Sequence, residues 1–136
     1  MYFVTHVLAG AALATRSPGP AAAIAGGLGT HLLLDWAPHH DYRRPLTGFI
    51  DFFAGLALVA ALSLLKGSAQ VWWGALGAGL PDLEVALFGL GLIRSRRVLP
   101  LFPSHRGLSP HVKVGLLPGV LTQAAVAAVS AWLLAT

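Results

Sequence analysis

The stretch from Leu46 to Leu65, LTGFIDFFAGLALVAALSLL, decides the fold class. It reaches the roughly 20 residues that carry an α-helix across a bilayer core. Its one charged side chain is Asp51. Two runs of comparable length follow, Val71 to Ile93 and Val112 to Leu134, and two shorter ones precede it, Tyr2 to Thr15 and Ala21 to Trp36. The pattern predicts an all-α, polytopic membrane helix bundle of about five transmembrane helices, folded as a single membrane-embedded domain over residues 1–136. The short first pair also admits a re-entrant hairpin beside three full spans. Ala12-Leu13-Ala14 resembles a signal-peptide cleavage site, but no Lys or Arg precedes the apolar run and His6 interrupts it.

Composition points the same way. Of 136 residues, 56% are apolar and only 10% are charged, against about 25% in an ordinary soluble domain. Mean hydropathy is +0.73. Such a balance excludes a disordered chain, a coiled coil and a nucleic-acid-binding domain. The absence of cysteine excludes disulfides, thiolate metal sites and Cys nucleophiles.

Basic residues set the orientation. Placing the N-terminus in the cytoplasm puts Arg43, Arg44, Arg94, Arg96, Arg97, Arg106 and Lys113 on that side, seven of the nine Lys and Arg residues. Only Arg16 and Lys66 remain opposite. The positive-inside rule therefore predicts a multi-pass protein of the inner (cytoplasmic) membrane with a cytoplasmic N-terminus.

Few acids and histidines are present, and most fall within or beside the apolar runs. The acids are Asp35, Asp41, Asp51, Asp82 and Glu84; the histidines are His6, His31, His39, His40, His105 and His111. A carboxylate at the centre of a membrane helix costs about 2.5–3.5 kcal/mol on insertion scales. Intramembrane ionisable groups are therefore functional candidates by default. With the N-terminus inside, these groups fall in one layer between the midplane and the cytoplasmic face.

Three motifs carry the chemistry. His31 and Asp35 are spaced i, i+4 and project from one helix face. Pro38 ends that helix near Ala37, so His39 can fold back beside Asp35. Imidazole and carboxylate donors in this arrangement suit zinc, with manganese or iron as alternatives. The plainer reading is a hydrogen-bonded pair that satisfies a buried carboxylate. In Pro81-Asp82-Leu83-Glu84, the proline interrupts the backbone ladder within an apolar run. Asp82 is the better ligand candidate, because a regular helix does not point i and i+2 the same way. The third motif is the loop His105-Arg106-Gly107-Leu108-Ser109-Pro110-His111, which offers imidazoles and a guanidinium for metal and phosphate. A basic loop anchored to anionic lipid is the alternative there. Near the N-terminus, Thr5-His6 gives the first helix its one polar anchor.

At these residues the chain resembles the membrane-bound metal-dependent hydrolases of bacterial and archaeal inner membranes (the LexA-regulated inner-membrane group). That family's pattern is an N-terminal Thr-His before a small-residue helix, a Pro-Asp-x-Asp element and a His-Arg-Gly-x-Thr-His-Ser loop. Thr5-His6 with Gly10, Pro81-Asp82-Leu83-Glu84 and His105-Arg106-Gly107-Leu108-Ser109 match those elements in turn. Glu84 stands for the last Asp, and Pro110 stands where the family has its second His. The His31-x-x-x-Asp35 spacing is also similar to a pattern in zinc-dependent phospholipases. The resemblance implies metal-dependent hydrolysis of a phosphoester or lipid.

The resulting expectation is a metal site near the cytoplasmic face, with His6, His31, Asp35, Asp82 and His105 as ligands and His39 beside them. A water activated by the metal would be the nucleophile, Glu84 or Asp51 the general base, and Arg106, with Arg43 or Arg44, the phosphate anchor. The expected partners are membrane lipid and a phospholipid or other phosphoester substrate, with no nucleic acid; a homodimer is compatible with helices this short. A metal-ion or proton permeation protein and a purely structural polar network are the competing readings.

Overall fold

The computed structural model describes residues 1–92, 102 and 112–136, with the side chains of 88 and 89 left out. Among the described residues the chain is all-helical, with α1 (Phe3–Ala14), α2 (Pro20–Trp36), α3 (Pro45–Lys66), α4 (Gln70–Gly89) and α5 (Leu116–Ala135). Local chemistry explains the boundaries. Pro20 and Pro45 open α2 and α3, where a missing N–H costs nothing and φ is already helical. Ala37 turns extended ahead of Pro38. Gly67 closes α3 in the left-handed conformation, at φ 57°.

The helices alternate in direction. At one end Tyr2 meets Gln123 and Val4 meets Asp51. At the other, the Arg16 guanidinium donates to the Leu133 carbonyl at 2.9 Å. Helices α1, α3 and α5 therefore start at the end where α2 and α4 finish. Arg43, Arg44 and Lys113 lie at that end, and Arg16 and Lys66 at the other.

The shortest helix is the centre. α1 packs against all four other helices, and nine of its 12 residues are buried. Its start is held by other elements, because no side chain of its own caps it. The Tyr2 N–H donates to Gln123 Oε1 at 2.8 Å, the Phe3 N–H to the Tyr42 hydroxyl at 2.8 Å, and the Val4 N–H to Asp51 Oδ2 at 3.1 Å. The first N–H groups of a helix have no partner within it, and a buried helix start must find them elsewhere.

Two helices, α3 and α5, are long and apolar enough to cross a membrane. This corrects the expectation of five spans. α1 and α2 are too short, at 12 and 17 residues, and α4 carries Pro81, Asp82 and Glu84 within its length. The most apolar stretches of α3 and α5 are only 11% and 17% buried within the protein. Leu64, Leu65 and Trp132 lie wide open on their surfaces. Pro81 interrupts the ladder as expected, leaving the Gly77 carbonyl without its helical donor, while α4 runs on past it. Asp82 and Glu84 consequently stand on one continuous helix and on different faces.

Three helices cross where side chains are absent. A Cβ on Gly74 would overlap the Gly10 carbonyl and Ala14, one on Gly27 would meet the Gly74 carbonyl and the Ala78 backbone, and one on Gly77 would meet the Ile24 backbone. Small residues of this kind allow backbones to approach in an apolar medium. Gly29 on α2, by contrast, faces open space. Gly74→Ala is accordingly expected to lower stability by about 1–3 kcal/mol through overpacking. Gly29→Ala should raise it by about 0.5–1 kcal/mol by lowering unfolded-chain entropy. Thermal unfolding of the two variants in detergent checks both signs.

Candidate metal centre

The glycine crossing sets the geometry of the polar cluster. His6 precedes Gly10 by one turn on α1, and His31 follows Gly27 by one turn on α2. Gly74, Ala78 and Asp82 lie along one face of α4 at four-residue intervals. Contact at the glycines therefore carries both histidines toward Asp82. One ligand atom from each of His6, His31 and Asp82 falls within 4.8 Å of the others. The two imidazole rings stack, with centroids 3.9 Å apart.

Asp35 faces both histidines. Its Oδ1 lies 3.4 Å from His6 Nε2 and its Oδ2 lies 3.1 Å from His31 Nε2. All three side chains are closed to solvent. The tautomer of His31 follows from its other nitrogen. Nδ1 is 2.7 Å from the Ala78 carbonyl oxygen, which can only accept, so Nδ1 carries a proton. A neutral His31 would then present the Nε2 lone pair to a carboxylate oxygen. That approach is unfavourable without a cation, whether a proton or a metal ion. His6 Nδ1 is a buried nitrogen without a hydrogen-bond partner among the described residues. Buried polar atoms are normally paired, so this one asks for a ligand.

The donor set fits a divalent metal. Two imidazoles and a carboxylate are a common protein contribution to zinc, and also suit iron or manganese. The His31 Nδ1–H to backbone carbonyl contact is the outer hydrogen bond that metal-ligating histidines characteristically make. The carbonyl it uses lies one residue past Gly77, whose own helical donor is missing because Pro81 has no N–H.

Other expected site residues lie elsewhere. His39 does not fold back on Asp35; its Nε2 is 3.2 Å from Asp41 Oδ1, and its Nδ1 is 2.7 Å from the Ala37 carbonyl. The reason is a short backbone pairing with the segment before α5, in which His39 N–H donates to Val112 and the Val114 N–H donates to His39, each at 3.0 Å. Asp51 holds the start of α1 and accepts the Tyr42 hydroxyl proton. Glu84 is half-buried on α4, with Oε2 closed to solvent. His105 and Arg106 lie outside the described residues, as do His111, Arg94, Arg96 and Arg97.

Sequence reasoning missed Tyr42, Gln123 and the Asp41 network. Asp41 Oδ2 pairs with Lys113 Nζ at 2.8 Å, and its Oδ1 lies 3.1 Å from the Met1 amine. That amine also lies 3.7 Å from Asp35 Oδ1, which links this network to the cluster. One sequence signal was available. Tyr2-Phe3-Val4 offers no Ser, Thr, Asp or Asn to cap α1, so its caps had to come from distant residues. No protein-family model, curated protein or solved structure matches the chain.

Burial alone would raise the Asp41 carboxyl, but the hydrogen bonds from His39 and Lys113 and the nearby amine outweigh it and hold it well below the usual range. A lowered folded-state value adds stability above the unfolded value of about 3.9 and loses it as pH falls below. The wild type should therefore lose thermal stability between about pH 5 and pH 3, and Asp41→Asn should flatten that acid limb. Asp51→Ala should destabilise by about 1–3 kcal/mol, since it orphans the Val4 N–H and the Tyr42 hydroxyl, while leaving any metal bound at the His6, His31 and Asp82 cluster; thermal melts beside elemental analysis separate the two effects.

Proposed function

We propose that the chain is an integral membrane, metal-dependent hydrolase that acts on a phosphoester or lipid headgroup at the cytoplasmic face of the inner membrane. The observation that carries the reading is the convergence of His6, His31 and Asp82 from three helices, with Asp35 against both imidazoles. Zinc is the first choice of metal, with manganese or iron as alternatives. His6, His31 and Asp82 would hold it, and Asp35 would supply the further carboxylate or orient the rings. Such an ion supplies Lewis acidity and lowers the pKa of a water. The motif resemblance to membrane-bound metal-dependent hydrolases adds support from Thr5-His6 and Pro81-Asp82-Leu83-Glu84.

Membrane location draws on the exposed apolar faces of α3 and α5, which a soluble protein would have to cover. The orientation draws on loop charge, because Arg43, Arg44 and Lys113 share the end where the cluster lies. One observation favours a second reading. Asp35 contacts both histidines, and a proton can serve those contacts, which would make the cluster a structural polar network.

Elemental analysis of detergent-purified protein decides between them. The hydrolase reading expects about one or two equivalents of zinc, manganese or iron. It also expects a fall in thermal stability on chelation, because metal binding couples to folding. His31→Ala and Asp35→Asn should each lose metal. Metal-free protein whose melting is indifferent to chelators would leave the structural network standing.

A further inference from the structure

We infer that the cleft between the chain ahead of α3 and the start of α5 is a phosphate subsite for a membrane lipid headgroup. It rests on the hydrolase reading above, since it names that site's substrate class. The cavity measures about 250 Å³. Pockets for drug-sized ligands run to about 300–1,000 Å³, so this one takes a headgroup and not a whole lipid.

Its charge is right for a phosphate. Arg43 and Arg44 line it, both are exposed, and neither pairs with an acid among the described residues. Guanidinium forks match phosphate oxygens bidentately. The one acid in the lining, Asp41, does not cancel them, because Lys113 and the His39 imidazole already occupy its two oxygens. One wall is aromatic: the Tyr2 and Tyr42 rings stack at 4.9 Å.

Its position is right for a lipid. Arg44 directly precedes α3, and Leu116 of the lining is the first residue of α5. The cleft thus sits where both candidate spans begin, at the depth where headgroups lie. Leu116 of the lining, 59% exposed, gives it apolar surface for acyl chains. It is also near the metal centre. Tyr2 lines the cleft, and the His6 N–H donates to the Tyr2 carbonyl one helical turn further along α1.

Native mass spectrometry of the full chain in a phosphate-free detergent provides the test. The probes are short-chain phosphatidic acid, the matching diacylglycerol and glycerol phosphate. Phosphatidic acid should bind best and the neutral diacylglycerol should not bind. The double variant Arg43→Gln, Arg44→Gln should bind phosphatidic acid about 10- to 100-fold more weakly, the loss expected for charge-assisted hydrogen bonds. Its metal content and melting temperature should match wild type. Thr47→Glu, which adds an anion to the lining without removing an arginine, should give the same loss. A folded double variant that binds like wild type overturns the subsite, as does equal binding of diacylglycerol. Glycerol phosphate that binds as tightly as the lipid overturns the lipid assignment in favour of a soluble phosphate. Arginine-dependent lipid binding by protein that proves metal-free would support the subsite while sinking the hydrolase reading.

Discussion

The close approach of α1, α2 and α4 is the constraint on which the rest depends. Gly10, Gly27, Gly74 and Gly77 place backbone against backbone, and any Cβ there would force the helices apart. Backbone contact this close is held by dispersion between packed atoms, so a small loss of fit is felt directly. It also fixes chemistry. His6 and His31 lie one turn from Gly10 and Gly27, so the separation of the backbones at the crossing sets the separation of the rings. A bundle packed through leucines would hold its helices roughly 8–10 Å apart and would give the imidazoles no reason to stack.

The cluster that results is a problem of charge in a dry place. Two imidazoles and Asp35 are closed to solvent, and a carboxylate there is costly unless paired and hydrogen-bonded. The Ala78 carbonyl removes one freedom by fixing the proton on His31 Nδ1. What remains is a ring nitrogen facing a carboxylate oxygen, together with a buried His6 Nδ1 that has no partner among the described residues. A single proton between His31 and Asp35 answers the first and leaves the second. A metal ion held by both histidines draws on the imidazole pair as a unit. Either cation answers the contact with Asp35, and the three residues around it can hold a metal ion.

Much of this was legible in the sequence, and the limits have physical causes. Helix boundaries followed from proline, glycine and apolar runs, and the i, i+4 spacing of His31 and Asp35 placed them on one face. The central position of α1 was not legible, because burial depends on what other helices do and not on a segment's own length. His39 was misplaced for a similar reason. Its partner is the segment at Val112 to Val114, 73 or more residues away, and no local pattern announces a pairing that distant. Asp51 drew attention as a lone acid in an apolar run, yet the structure puts it at the buried start of α1, where its charge also complements the positive end of the helix.

Hydropathy averages over the whole circumference of a helix, whereas lipid meets only its outer face. The residues that α4 exposes include Trp72, Trp73, Leu76, Leu83 and Val85. The groups that lower its average include the glycines at the crossing and Asp82, and these face its neighbours. α4 therefore presents an apolar exterior while keeping its polar groups for the interior. The same holds for α2, which exposes Leu33 and Trp36 and hides His31 and Asp35. α3 and α5 pass the hydropathy test, α1 and α2 fall short of it in length at 12 and 17 residues, and α4 falls short in hydropathy because it carries Pro81, Asp82 and Glu84.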